Sequence, residues 1–300
     1  MNRKQFLKQA GYFSAGAVIS PMLYHSVREN GQFTLLRNDI GYFTGRGGTI
    51  GWYAHNEVMV AVDSQFQDTA VEFIEGIEDY GGGPEQYLFN THHHADHTAG
   101  NPSFLDRGFQ IYAHHNVPDL QRESAEEQGE EDTQVYADNT YGDLVVMDVG
   151  DEQLMATHYG PAHTAGDSIV WFRNSNIVHM GDLVFNRLYP FIDMDGGASI
   201  QGWISTLETV IEESDNDTLF IFGHGHQDFG VTGTHAEIVV MRDYLEKLLE
   251  HTQQGLQEGK SRDEITNIEQ FNDFPNHRSL SPRLSLPANL QAAYDELSED

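Results

Sequence analysis

The sequence predicts an α/β fold, and the order of its apolar segments carries that prediction. Short, continuous apolar runs typical of buried strands alternate with longer segments whose apolar residues recur at helical spacing. In the first half, a strand, a polar loop, a helix and a further strand follow one another, which is the order found in an α/β layer. The chain has 300 residues, of which 39% are hydrophobic, so it can bury a substantial core.

The chain begins its predicted fold with strands. Residues 32–65 contain short β-branched and aromatic runs separated by glycine, a pattern that predicts an antiparallel meander. The last run, residues 58–62, is continuously apolar and ends at Asp63. Residues 66–80 then place apolar side chains at helical spacing, and Gly-Gly-Gly-Pro at positions 81–84 predicts where that helix ends.

The next apolar run leads into a histidine cluster, THHHADH at positions 91–97, with the spacing His-x-His-x-Asp-His. Imidazole nitrogens and carboxylate oxygens are ligands that zinc and iron favour. Residues two apart on an extended segment point the same way, so we expect His92 and His94 to share one ion. Asp96 and His97 follow the turn and are expected to reach a second ion. A solvated polar loop is the alternative interpretation, but packing alone does not account for this density of ligand residues.

Predicted strands cover residues 109–113, 144–147, 153–159, 169–172, 177–180 and 218–222, and predicted helices cover residues 98–105, 205–211 and 234–254.

Some polar segments are interpreted without a role in the chemistry. Residues 116–142 indicate a solvated surface helix and loop, with a flap beside the site as the alternative. His114 and His115 are interpreted as ordinary loop residues, and His158 as a packed or exposed strand residue. Residues 186–199 form a long loop with aromatic side chains, and such a loop beside a metal site is a candidate substrate wall.

Charge and cysteine content exclude several classes of function. The chain carries 47 Asp plus Glu against 16 Lys plus Arg, a formal net charge of −31. Nucleic acid and anionic membrane surfaces would be repelled, so neither is expected as a partner. The chain has no cysteine, which excludes disulfides, thiolate metal ligands and a lipoprotein anchor. Any metal must therefore be held by histidines and carboxylates.

Residues 1–27 are interpreted as a probable export signal, because a basic segment precedes an apolar stretch of small residues. That stretch is too short for a comfortable transmembrane helix, so no stable membrane anchor is expected. The basic segment resembles a twin-arginine signal with Lys4 in the second arginine position. The prediction is a periplasmic or secreted protein, and the alternative is an amphipathic N-terminal helix of a cytoplasmic one.

The sequence THHHADHTAGN resembles the first metal motif of the metallo-β-lactamase superfamily of hydrolases. The turn at His163 is similar to that family's Gly-x-x-His-Thr-x-Gly-Asp pattern, Asp182 to its bridging carboxylate, and Gly-His-Gly at positions 223–225 to its terminal motif. His226 is the alternative to His224, but the flanking glycines of the motif match on His224. The resemblance implies a four-layer αββα sandwich with the metals at one edge. It places the catalytic domain at residues 30–254 and leaves residues 255–300 as a polar tail with short helices.

The resemblance also implies a dinuclear centre with a ligand set like that of glyoxalase II. One ion would be held by His92, His94 and His163, the other by Asp96, His97 and His224, and Asp182 would bridge the two. Asp63 would accept the far N–H of a metal-bound histidine, with a helix N-cap as the alternative role. Two divalent ions are expected, zinc by default, although iron or manganese also suit these ligands.

The function implied is that of a metal-dependent hydrolase that uses a bridging hydroxide on a small carbonyl substrate: a lactam, lactone, ester or thioester. Asp96 would orient the nucleophile and pass a proton to the leaving group. Cysteine-ligated lactamases are excluded, and Phe185 stands where homoserine lactonases often carry a tyrosine. The alternatives are a mononuclear iron sulfur oxygenase of the same fold and a noncatalytic metal-binding protein.

Overall fold

The structure, a computed structural model, describes residues 31–299. The strands are β1 (Gln32–Arg37), β2 (Ile40–Thr44), β3 (Ile50–His55), β4 (Val58–Val62), β5 (Glu85–Asn90), β6 (Gln110–His114), β7 (Asn139–Tyr141), β8 (Leu144–Val149), β9 (Glu152–Thr157), β10 (Ile169–Phe172), β11 (Ile177–His179), β12 (Phe185–Asn186), β13 (Leu219–Ile221), β14 (His224–Gly225) and β15 (Thr232–Gly233). The α-helices are α1 (Gln67–Ile77), α2 (Ala95–Thr98), α3 (Asn101–Arg107), α4 (Val117–Gln128), α5 (Ile200–Glu213), α6 (His235–Gln257), α7 (Arg262–Thr266) and α8 (Leu286–Glu299).

The predicted export signal lies outside the described residues. Among the helices of residues 31–299, none has both the length and the apolarity needed to cross a bilayer.

The first sheet has seven strands in the order β1-β2-β3-β4-β5-β6-β7. Its first four strands are antiparallel, which confirms the predicted meander, and β4 to β7 are parallel neighbours. Strand β7 was not predicted, because it lies in the polar segment interpreted as helix and loop. Its sequence is Asn-Thr-Tyr and only Tyr141 is buried, so it carries no alternating apolar pattern.

The second sheet has six strands in the order β15-β13-β11-β10-β9-β8. Strands β8 to β11 are successive antiparallel neighbours, and β13 joins β11 in parallel. A separate two-stranded sheet pairs β12 with β14 in parallel, placing Phe185 opposite His224. This short pairing fixes the backbone beside the last of the candidate ligands.

The two sheets pack face to face and each is covered by helices, so the predicted four-layer αββα sandwich is confirmed. Successive side chains of a strand point to opposite faces of its sheet: Val60 faces the space between the sheets, whereas Ala61 faces the helices outside. Because both faces of the sheets are buried, the sequences of the central strands are continuous apolar runs. Phe73 and Phe104 fill the outer layer on the first sheet, and Trp203 with Tyr244 and neighbouring residues fills the other.

Residues 255–300 contribute to the core, in contrast to the prediction of an appended polar tail. Leu286, Leu290 and Ala293 of α8 are fully buried in the outer layer on the second sheet. The carboxylate of Glu296 accepts hydrogen bonds from the first backbone N–H groups of α5, including that of Ile200 at 2.7 Å. The prediction treated residues 255–300 as one polar segment, although Leu286, Leu290 and Ala293 of α8 are spaced four and three apart, as on one face of a helix.

Candidate metal centre

The ends of several strands bring the candidate ligands to one edge of the sandwich. β4 and β5 are parallel, as are β11 and β13, so the residues that follow them meet at the same edge. Asp63 follows β4 and His92 follows β5, whereas Asp182 and His224 follow β11 and β13. The one-turn helix α2 then turns the chain so that Asp96 and His97 face the same space.

The first group consists of His92, His94, His163 and Asp182, whose ligand atoms all lie within 4.8 Å of one another. Nδ1 of His94 lies 3.0 Å from Nε2 of His92 and 3.1 Å from Nε2 of His163. Oδ2 of Asp182 lies 3.9 Å from Nε2 of His92 and 3.7 Å from Nε2 of His163. Three imidazoles and one carboxylate thus converge on one point.

The second group consists of Asp96, His97 and His224. Nε2 of His224 lies 3.1 Å from Oδ2 of Asp96 and 3.4 Å from Nε2 of His97. Asp182 reaches this group as well, because its Oδ1 lies 3.1 Å from Nε2 of His97 and its Oδ2 lies 3.3 Å from Nε2 of His224. The carboxylate of Asp182 therefore stands between the two groups.

A carboxylate behind His97 fixes the orientation of that ring. Oδ2 of Asp63 lies 2.8 Å from Nδ1 of His97, and its Oδ1 accepts the backbone N–H of Thr91 at 2.7 Å. The hydroxyl of Thr91 lies 2.9 Å from Asp63 and 3.0 Å from Nδ1 of His92. Asp63 adopts a left-handed backbone with φ of 68°, which aspartate tolerates better than most residues. Asp63 does not cap a helix, since Phe66 precedes α1, and its support of a metal-bound histidine stays a prediction.

The donor set fits a pair of divalent cations. Nitrogens of three imidazoles face one another at about 3 Å in the first group, the arrangement of a shared metal ligand set. Oδ1 of Asp182 is buried and accepts no well-formed hydrogen bond from the described residues, although His97 is close. Two glycines leave room for these side chains: an added Cβ would lie 2.1 Å from His97 at Gly48 and 2.0 Å from Oδ1 of Asp182 at Gly223.

In the absence of metal, His92 and His163 of the first group have lowered pKa values, whereas His97 and His224 of the second have raised ones. Burial, together with neighbouring imidazoles, lowers the pKa of His92 well below its ordinary value and the pKa of His163 to about 3. Burial also opposes charge on His97 and His224, but the carboxylates of Asp182 and Asp96 outweigh it. They raise the pKa of His97 well above its ordinary value and that of His224 to about 10. A metal ion at the second group would therefore displace protons.

Four other histidines lie apart from these groups. Nδ1 of His226 lies 3.5 Å from a carboxylate oxygen of Asp228, so His224 and not His226 joins the second group. The rings of His114 and His158 stack with centroids 3.8 Å apart, and His115 lies beside His114. His114 is buried, in contrast to the interpretation of it as an ordinary loop residue.

Sequence reasoning missed one contributor to the site, Asp193. Its Oδ2 lies 3.0 Å from Nε2 of His94 and 3.4 Å from Nε2 of His93. It lies in the long loop between β12 and α5, where no strand or motif marks its position. A carboxylate in an irregular loop has no local signal, because its contact with His94 spans 99 positions of the sequence.

The family model of the metallo-beta-lactamase superfamily matches residues 64–226, more than half of the chain. The chain belongs to this superfamily. The match includes His92, His94, Asp96 and His97 of the first motif, and it extends to His224.

Relatives within the superfamily have different activities in their names. The chain is 25% identical over 194 residues to a metallo-beta-lactamase type 2 of Bacillus cereus, covering 63% of this chain and 72% of the relative. It is 26% identical over 155 residues to a hydroxyacylglutathione hydrolase of Rhodospirillum rubrum, covering 49% of this chain and 50% of the relative.

Solved structures share the fold at lower identity. A metallo-beta-lactamase from Pontibacter korlensis has a TM-score of 0.61 at 16% identity, covering 72% of this chain and 99% of that one. A double mutant of the sec-alkyl sulfatase PisA1 has a TM-score of 0.72 at 12% identity, covering 89% of this chain and 50% of that one. The chain thus has the fold of a superfamily of metallo-hydrolases, and this fold alone does not determine the substrate.

Proposed function

We propose that the protein is a dinuclear metal-dependent hydrolase that adds water to the carbonyl group of a small lactam, lactone, ester or thioester. The observation that carries this proposal is the position of Asp182. Its two carboxylate oxygens lie 3.1 Å and 3.3 Å from His97 and His224 of the second group, and it also belongs to the first group. A carboxylate in that place can offset the repulsion between two neighbouring cations.

The first ion would be held by His92, His94 and His163, the second by Asp96, His97 and His224, with Asp182 shared. Zinc is the expected ion, because it combines with imidazole and carboxylate ligands in hydrolytic sites, and iron or manganese would suit the same donors. Two such ions would supply hydroxide near neutral pH and electrophilic assistance to the carbonyl group.

Asp96 is proposed as the residue that handles the proton. Its side chain is 30% exposed, whereas that of Asp182 is 4% exposed, so Asp96 is the more accessible of the two carboxylates. Burial favours its neutral form, but His97 and His224 hold the pKa of Asp96 well below its ordinary value. An ionised Asp96 can orient a water molecule and then carry its proton to the leaving group.

The charges around the centre favour an uncharged substrate over an anionic one. Arg46 lies next to the glycine loop that contacts Asp96, but its guanidinium donates to both carboxylate oxygens of Asp68, the shorter bond being 2.6 Å. Arg187 follows β12 and lies 3.8 Å from the carboxylate of Glu237. These cations are neutralised in place, and the net charge of −31 would repel an anion at long range.

The completeness of the second group weighs against the two alternatives. A mononuclear iron sulfur oxygenase needs fewer ligands, and a noncatalytic relative would be expected to have lost some of them. Here Asp96, His97 and His224 all face one point. One iron per chain in the purified protein would favour the oxygenase.

The test is hydrolysis by the zinc-loaded protein of four probes: a chromogenic β-lactam, a lactone, an aryl ester and an acyl thioester. The matched control is Asp96→Asn, with the metal content of both proteins measured. We expect turnover of at least one probe and a loss of about 10²–10⁴-fold in kcat for the variant. A zinc-loaded protein that hydrolyses none of the probes would contradict the proposal.

A further inference from the structure

The loop between β12 and α5 contacts the outer side of the first group. Asp193 of this loop places Oδ2 3.0 Å from Nε2 of His94, while Nδ1 of the same ring faces His92 and His163. Since one nitrogen of His94 faces the candidate ion, the opposite nitrogen can donate its proton to Asp193. This contact selects the tautomer that leaves Nδ1 free as a ligand.

Asp193 is itself held in place. His93, the variable position of the motif, is buried and brings Nε2 to 3.4 Å from Oδ2 of Asp193. The backbone N–H of Asp193 donates to the carbonyl of His163 at 3.4 Å, and its carbonyl accepts from Ala198 at 2.9 Å. A Cβ added to Gly196 would lie 2.1 Å from Oδ2 of Asp193, so the loop closes tightly on the carboxylate.

The same loop orients a second imidazole of the first group. The carbonyl of Phe191 accepts the Nδ1 proton of His163 at 2.8 Å, which leaves Nε2 of His163 as the ligand atom. The second group relies on a different element, because His97 is oriented by Asp63 at the end of β4. Asp193 thus contacts a histidine of the first group, whereas Asp63 contacts His97 of the second group and reaches His92 of the first through the hydroxyl of Thr91.

We propose that Asp193 is a positioning residue that sets the affinity for the ion of the first group. The proposal rests on the two-ion centre of the proposed function. It assigns a purpose to His93, whose ring contacts Asp193 and belongs to neither group. It also predicts that the first ion can be weakened while the second is left unchanged.

A competing arrangement would make His93, His94 and Asp193 a third metal site, because their ligand atoms also lie within 4.8 Å of one another. His94 would then have to bind metal through both nitrogens and lose both ring protons. The distance of 3.0 Å between His94 and Asp193 is that of an N–H···O hydrogen bond. The metal stoichiometry separates the two arrangements.

The experiment is stepwise zinc binding by competition with a chromophoric chelator, for the full chain and for Asp193→Asn and Asp63→Asn. Asp193→Asn should lower the affinity of the first ion about 10–100-fold and leave the second unchanged, whereas Asp63→Asn should lower the affinity of the second ion. In a His163→Ala background, where the first ion is already lost, Asp193→Asn should have no further effect, whereas Asp63→Asn should still weaken the remaining ion. Thermal unfolding of the metal-free proteins checks that each variant folds.

Several outcomes would overturn the proposal. Unchanged affinity for both ions in Asp193→Asn, weakening of the remaining ion by Asp193→Asn in the His163→Ala background, or three ions per chain would each do so. His93→Gln keeps the carboxylate and should weaken the first ion by less than Asp193→Asn. If Asp193→Asn fails to fold, His93→Gln is measured in its place. A chain that binds a single ion would instead contradict the two-ion function, and Asp193 would still be tested on that ion.

Discussion

Gly223 shows how the position of one ligand depends on the absence of a side chain nearby. A Cβ at this position would lie 2.0 Å from Oδ1 of Asp182 and 2.8 Å from the backbone oxygen of Gly181. The backbone oxygen of Gly181 is fixed by the fold, so the side chain of Asp182 would have to leave its place between the two groups. Gly223→Ala should therefore lower zinc affinity by at least about 10-fold and activity with it.

Gly142→Ala is the control for that prediction, because no atom lies within 4 Å of a Cβ built there. Zinc affinity is measured by chelator competition for both variants. Wild-type affinity in Gly223→Ala would show that the space beside Asp182 is not needed for metal binding.

The residues of the candidate site were predicted unequally well from the sequence. His92, His94, Asp96 and His97 lie within six positions, and their spacing alone indicated metal ligands. His163, Asp182 and His224 are isolated in the sequence and were predicted only through the resemblance to the metallo-β-lactamase superfamily; the structure brings them close to the first cluster. Asp193 has neither signal, and only the folded chain brings it to His94.

At the scale of elements, α8 belongs to the core, although the polar composition of residues 255–300 did not indicate this. Leu290 is fully buried among residues of the outer layer on the second sheet, and Glu296 caps α5 through hydrogen bonds to its first backbone N–H groups. Leu290→Ala should lower the free energy of unfolding by about 2–5 kcal/mol, the range for emptying a buried leucine site.

Urea unfolding of the metal-free protein measures this effect, with Leu280→Ala as the matched control. Leu280 is 62% exposed, so its truncation should change the free energy of unfolding by less than about 0.5 kcal/mol. Equal effects of the two substitutions would show that α8 does not stabilise the fold.

Strands with both faces buried were predicted best, because β4 and β10 consist almost entirely of apolar residues. Strand β7 and helix α8 were predicted worst for opposite reasons. β7 is a three-residue edge strand with one buried side chain, whereas α8 buries the side that packs against α6 and α7. In both cases tertiary contacts, and not local pattern, decide the structure.

At the scale of the whole molecule, the net charge of −31 acts on any charged substrate before it reaches the metal centre. We expect the zinc-loaded protein to hydrolyse an uncharged aryl ester with a higher kcat/KM than a matched aryl ester carrying one carboxylate. The ratio of the two values should fall as salt rises from about 0.01 M to 1 M, because the screening length shortens from about 30 Å to 3 Å. A preference for the anionic ester, or a ratio that does not respond to salt, would contradict this expectation.

The measurement that tests the account most directly is the metal content of the purified chain beside that of Asp182→Ala. Asp182 is buried between the two groups, and its ionised form is stabilised by His224 and His97, which hold its pKa well below the ordinary value against the effect of burial. The account predicts two ions per chain in the wild type and one or fewer in the variant. A single ion in the wild type, or two ions in Asp182→Ala, would contradict it.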